Sequence, residues 1–350
     1  MRLTLESPAA PASDCSSVAA PLRLLCWVAG GPGIGMGHVL RTLELARSLE
    51  KAGLRIAGFR CNEDPSSRAA IMAAGRALWP ERDEAAPAAD VLLVDRPTGV
   101  DATVQAFRAA RPGLRIAALD SFDMEGGHAD LIINLINHHP TLRCPQSARV
   151  RYQEGPAYAI VRGEFLAARD HPRSFPAQAR EVLVSFGGAD PADHTGRVLD
   201  ALAEGALPGT SVRLVIGPAF TDAAGTAARA RALGVTVLER VTDLAPYFAA
   251  ADLAVSGGGT TMLELACVGT PTLVLPQNAA EARFAESLAA RGAVRLGETS
   301  AVRRDLQALI DDADARRRLH AAARVSVDGF GSRRIADLLL DTFNHVSSCP

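Results

Sequence analysis

The sequence predicts two doubly wound, Rossmann-like α/β domains facing a cleft. Three observations carry that expectation. The chain has 350 residues, 48% of them hydrophobic and 22% charged, which is more than one core usually organises. Short apolar runs alternate with stretches of helical period along almost the whole length. Runs such as VLLV are continuous rather than alternating, as in parallel strands buried on both faces.

The opening residues 1–21, MRLTLESPAAPASDCSSVAAP, contain one Arg, acids at Glu6 and Asp14, and no continuous apolar stretch. They read as a disordered extension rather than a signal peptide. A first domain is expected over 22–162, with strands at 22–29, 54–59, 91–94, 114–119 and 131–134 and helices at 39–52, 66–75 and 103–110. Residues 163–180 include RDHPRSFPAQAR, polar and without a period, and read as a linker. A second domain is expected over 181–346. Its strands fall at 182–186, 212–216, 235–238, 253–256 and 273–275, and its helices at 192–202, 223–233, 244–250, 261–268 and 281–291. A final helix over 332–346 is expected to pack back across the domain boundary.

Bulk properties exclude several classes. A net charge of −2 leaves no basic footprint for nucleic acid. Cys15, Cys26, Cys61, Cys144, Cys267 and Cys349 are scattered, with no zinc-like spacing, and read as reduced thiols of a cytoplasmic protein. No stretch approaches the roughly 18 apolar residues of a membrane span, so no integral membrane segment is expected. No metal or other cofactor is expected either.

Chemistry concentrates in three segments. In AGGPGIGMGHVLR a strand ends, glycines including Gly35 and Gly37 turn the chain, and a helix starts near His38. Glycine-rich loops at strand ends let backbone N–H groups approach an anion at a helix N-terminus. A dinucleotide site would want an acidic residue ending the second strand. Phe59 and Arg60 stand there instead, against a nicotinamide enzyme. An imidazole at His38 can take a proton near neutral pH; packing or capping of the loop is the alternative. Arg41, one turn on, is a candidate phosphate ligand or an ordinary surface arginine.

In VLVSFGGADP the strand runs into Gly187 and Gly188, which either admit a bulky ligand group or form a plain strand-to-helix turn. In SGGGTTMLELACVGTP the residues Ser256, Gly257, Gly258, Thr260 and Thr261 offer hydroxyls, amides and a helix dipole to one point, a cradle for a diphosphate. The segment lacks the lysine of a Walker P-loop. Glu264, one turn into that helix, can accept bonds from two vicinal ribose hydroxyls; a solvated helix carboxylate is the alternative.

Taken together, GIGMGHVLR, LLVD, LD, LIIN, GPAYAIVRGEF and SFGGADP resemble the UDP-sugar hydrolase of pseudaminic acid biosynthesis and the related spore-coat polysaccharide biosynthesis proteins. SGGGTTMLELACVGTPTLVLP is similar to the C-terminal domain of the lipid II-forming N-acetylglucosaminyltransferase. The resemblance spans about residues 24–297. It implies a GT-B-type fold and release of UDP from an acetamido-deoxy sugar without a metal. His38 would then be the base, the loop 256–261 the diphosphate site and Glu264 the ribose ligand. It also makes Asn134 and Tyr158 candidate substrate contacts. Two departures stand near the expected sugar site: Ala29 replaces the family's aspartate nine positions before the histidine, and the family's DNQ- or ENQ-like stretch appears here as residues 277–281, in which Asn278 and Glu281 are candidate substrate contacts. A nucleotide-diphosphate sugar is the expected partner. Hydrolysis is the leading expectation, with glycosyl transfer or silent nucleotide-sugar binding as alternatives.

Overall fold

The computed structural model describes residues 20–31, 34–79, 87–96, 100–120, 129–135, 150–205 and 207–344. The expected extension therefore lies almost wholly outside the described residues. Two parallel sheets, each covered by helices, are present. The first comprises β1 (Arg23–Val28), β2 (Arg55–Cys61), β3 (Leu78–Trp79), β4 (Val91–Asp95), β5 (Arg115–Leu119), β6 (Leu131–Asn134) and β7 (Arg151–Glu154), in the order β3-β2-β1-β4-β5-β6-β7. Between them run α1 (Gly37–Lys51), α2 (Pro65–Ala73) and α3 (Asp101–Ala110), and α4 (Gly163–Ala168) follows the sheet.

The second sheet comprises β8 (Glu181–Ser185), β9 (Ser211–Ile216), β10 (Thr236–Glu239), β11 (Leu253–Ser256), β12 (Thr272–Val274) and β13 (Arg295–Leu296), in the order β10-β9-β8-β11-β12-β13. Its helices are α5 (His194–Ala203), α6 (Ala223–Ala232), α7 (Ala245–Ala250), α8 (Thr260–Val268), α9 (Ala279–Ala289), α10 (Val302–Asp311), α11 (Ala313–Ser326) and α12 (Gly331–Asn344).

The central strands bury every residue, as in VLLVD of β4 and LAVS of β11. Side chains then separate by parity. Leu24, Cys26 and Val28 of β1 join the core under α1, while Leu25 and Trp27 face the core under α3. In β8, Val182 and Val184 face one core and Leu183 the other. The fold is therefore the doubly wound pair that the alternating pattern predicts.

One segment departs from the sequence expectation. The stretch read as a loose linker carries α4, whose Phe165 is fully buried and packs on Phe248 at 4.9 Å between ring centroids. Arg169 donates to the carbonyls of Cys267 and Val327, and Arg173 to those of Phe248, Ala249 and Ala251, so their cations sit at the C-terminal ends of helices. Proline content and missing periodicity concealed these long-range bonds. The final helix packs back across the domain boundary as the sequence reading expected: α12 follows the second sheet and buries Ile335, Ala336, Leu339 and Phe343 in the core of the first. Among the described residues no helix is long and apolar enough to cross a membrane.

Candidate functional site

In each sheet the chain first winds outward in one direction and then returns to wind in the other. The switch falls between β1 and β4 in the first sheet and between β8 and β11 in the second. Loops leaving adjacent strand ends diverge there and leave a crevice beyond the carboxyl edge. The first switch point holds Gly30, Gly31, Gly35 and Asp95; the second holds Gly187, Gly188 and the Ser256–Gly259 turn. The two face each other: a Cβ built on Gly37 would lie 3.7 Å from Thr260 Cγ2.

At the first switch point the structure joins five side chains. His38 Nδ1 lies 2.7 Å from Asp95 Oδ1. Arg41 Nε donates to Asp95 Oδ2 at 2.8 Å, Arg41 Nη1 to Asp120 Oδ2 at 2.7 Å, and Thr42 Oγ1 to Asp95 Oδ2 at 2.7 Å. Asp95 is fully buried, at the end of β4. Burial alone would raise its carboxyl, but Arg41 and then His38 outweigh it and hold the group well below the usual carboxylate range. Burial likewise opposes the charge of Arg41, and Asp95 and Asp120 overcome it, raising the guanidinium.

That ionisation state settles the histidine tautomer. A carboxylate only accepts, so His38 Nδ1 carries the proton donated to Asp95. The nearby Arg41 Nη2, 3.1 Å from Nδ1, is then a contact between two donors and not a hydrogen bond. Nε2 keeps its lone pair as the basic atom of a ring whose side chain is 20% exposed. An imidazole held this way can accept a proton from a hydroxyl or from water.

Arg41, read in sequence as a candidate phosphate ligand or an ordinary surface arginine, is not on the surface. It is buried, and its guanidinium braces two aspartates. Asp120 adopts φ 46°, unusual for a side-chain-bearing residue, and its Oδ1 also accepts from the Leu135 N–H at 2.8 Å. Sequence reasoning quoted LLVD and LD without giving either aspartate a role. The available signal was an acidic residue directly ending a fully apolar strand.

The second switch point is built differently from the expected open cradle. Glu281 Oε2 accepts from the Gly258 N–H at 2.8 Å and the Gln277 N–H at 3.0 Å. The protein's own carboxylate thus occupies part of the glycine-rich turn and holds it. Gly258 must lack a side chain, since a Cβ there would sit 2.5 Å from the Glu281 carbonyl oxygen. Asn278 caps α9 by accepting from the Glu281 N–H at 2.9 Å. Gly257 packs by Gln277 and Glu281, and Ser256 Oγ is buried without a hydrogen-bond partner. The N-terminus of α8 has no side-chain cap, so the amides of Thr260 and Thr261 keep their donors free of intrahelical partners. By contrast α5 is fully capped by Asp190 and Asp193, which spends the amides of His194, Thr195 and Gly196. Gly187, at φ +81°, brings the main chain within reach of Thr261, its would-be Cβ lying 3.5 Å from Thr261 Oγ1.

Three candidates sit apart from these clusters. Glu264 is bound by Arg162, whose Nε donates to Oε1 at 2.7 Å and Nη2 to Oε2 at 3.1 Å. Burial pushes the Glu264 carboxyl up, and Arg162 only partly offsets this. Asn134 is buried at the end of β6 and donates to Tyr152 Oη at 3.0 Å. Tyr158 donates to Gln153 Oε1 at 3.0 Å in a short turn that packs against the core of the first sheet. Gly35 closes the β1–α1 turn by accepting from and donating to Gly31. Among the described residues, no group of three His, Cys, Asp or Glu side chains is arranged to hold a metal ion.

No protein-family model matches the chain. It is 27% identical over 334 residues to the spore coat polysaccharide biosynthesis protein SpsG of Bacillus subtilis (strain 168), covering 90% of this chain and 96% of that protein. Among solved structures, MurG of Acinetobacter baumannii superposes with a TM-score of 0.61 at 15% identity, covering 92% of this chain and all of that one. The UDP co-structure of MnaA from S. aureus superposes with a TM-score of 0.59 at 12% identity, covering 94% and 99% of the two chains. The architecture is the two-domain GT-B fold of glycosyltransferases, in a chain similar over nearly its full length to a polysaccharide biosynthesis protein.

Proposed function

We propose that the chain transfers a glycosyl group from a nucleotide-diphosphate sugar during polysaccharide biosynthesis, with His38 as the general base. The observation that carries this reading is the His38–Asp95 pair at one switch point, opposed by the uncapped α8 N-terminus at the other. On this reading the diphosphate lies at the Thr260 and Thr261 amides and the sugar points toward His38. The acceptor hydroxyl gives its proton to His38 Nε2 as its oxygen bonds to the anomeric carbon. The bond from that carbon to the phosphate oxygen breaks, and the nucleoside diphosphate leaves with the electron pair. Asp95 stabilises the imidazolium that forms, and the positive end of α8 favours the departing anion. Glu264 is the candidate carboxylate for the nucleotide ribose.

Water in place of the acceptor would make the same machinery a hydrolase, which the GIGMGHVLR and GPAYAIVRGEF motifs favour. One experiment separates the readings. The protein is incubated with UDP- and dTDP-linked sugars, with and without candidate sugar acceptors, and UDP or dTDP release is followed. Glycosylated product formed only with acceptor supports transfer; free sugar formed without acceptor supports hydrolysis. Nucleotide binding with no turnover under any condition would overturn both.

A further inference from the structure

We propose that Arg162 gates Glu264 and makes this site selective for nucleotides that carry a vicinal ribose diol. The inference rests on the reading of Glu264 as the ribose carboxylate. Arg162 binds both Glu264 oxygens through Nε and Nη2, at 2.7 and 3.1 Å. A guanidinium fork in that arrangement occupies the open face between the two oxygens. A vicinal diol donating two parallel O–H bonds needs the same face. Arginine and diol therefore compete for that face, the one on which a forked donor meets both oxygens at once.

The surroundings show which partner yields. The Arg162 side chain is 34% exposed and that of Glu264 9%, so the arginine is the outer member. It also has a second station: Arg162 Nη1 lies 3.1 Å from Glu164 Oε1, and the guanidinium stacks 4.7 Å from the centroid of the Phe165 ring. Glu44, on α1, adds further negative charge near it. Released from Glu264, Arg162 keeps an ion pair and a cation–π contact, so the exchange costs little. A deoxyribose with one hydroxyl would replace two charge-assisted bonds with one, and the gate would stay shut.

The test is calorimetric titration of the full chain with UDP and with dUDP. Wild type should bind UDP about tenfold or more tighter than dUDP. Arg162→Gln should tighten UDP roughly two- to fivefold, the scale of a partly exposed ion pair, and leave dUDP unchanged. Glu164→Gln, a surface change that removes the second station, should weaken UDP and spare dUDP, and it tests the gate even if Arg162→Gln folds poorly. Weaker UDP binding by a folded Arg162→Gln would make Arg162 a support for Glu264 and overturn the gate. Unaltered UDP binding by Glu264→Gln would instead remove Glu264 from the nucleotide site, a separate failure of the underlying reading.

Discussion

The replacement Asp95→Asn tests the base directly, because its consequences follow from counting donors and acceptors. In the wild-type protein Asp95 receives bonds from His38 Nδ1, Arg41 Nε, Arg41 Nη2 and Thr42 Oγ1. A carboxamide offers one acceptor oxygen and one NH2 group. If the NH2 takes the place of Oδ2, it opposes the Arg41 Nε donor in a fully buried place; in the place of Oδ1 it opposes Arg41 Nη2 instead. If it faces His38, Nδ1 must become the acceptor, and the proton moves to Nε2, the atom needed as base. The second arrangement is expected, because the oxygen then stays with both Arg41 Nε and Thr42 Oγ1, and the opposed donor is the terminal Arg41 Nη2. Turnover should then fall about 10²–10⁴-fold, the span for losing a general base, or about 3–5 kcal/mol in the barrier. Unfolding should also become easier by about 3 kcal/mol, the low end for breaking a buried pair, since Arg41 keeps Asp120. The assay is kcat on the best nucleotide sugar, with UDP affinity and a denaturant melt on the same preparation. Because the two residues act as a unit, the double variant with His38→Ala should be no slower than His38→Ala alone. A folded Asp95→Asn protein with wild-type kcat would refute the argument, as would rate losses that multiply in the double variant.

His38→Asn should cut turnover about 10²–10⁴-fold while UDP affinity stays within a few-fold, because the nucleotide is placed on the opposite domain; loss of UDP binding in calorimetry would contradict that placement. Arg41→Met should leave two buried aspartates unbalanced and lower stability by about 3–5 kcal/mol in a urea melt, and the variant should lose turnover through Asp95 rather than through phosphate binding. Asp95 has a depressed folded-state carboxyl, so its contribution is present above the unfolded value of about 3.9 and lost as pH falls below it; Asp95→Asn should flatten the acid limb of stability against pH. Limited proteolysis should spare 163–180, which Phe165, Arg169 and Arg173 tie to the second core; first cleavage there would mean those bonds open readily.

What the sequence by itself determined is the scaffold: two parallel sheets, their central strands and the loops that carry glycine. Strands buried on both faces must be continuously apolar, and that signal is local, so VLLV and LAVS were legible. The strands that sequence reading missed, β3, β7 and β13, are edge strands of two to four residues that are partly or fully exposed, and their pairing depends on a neighbour. The helices α10 and α11 were also passed over, although α10 shows buried Val302, Leu306, Leu309 and Ile310 at helical spacing. His38 was legible as a candidate because a histidine beside glycines at a strand end is a local pattern. Its partner was not, since Asp95 lies 57 positions away and Asp120, which meets Arg41, lies 79 positions from that residue; the strand order β1-β4-β5 brings them together. The same holds for Arg41, Glu264 and Glu281, whose charges looked free in sequence and are spent on Asp95, Arg162 and the Gly258 amide. Local pattern reports which faces are apolar. Which charges meet is decided by tertiary structure, because a buried charge must find a partner wherever the fold brings one within about 3 Å.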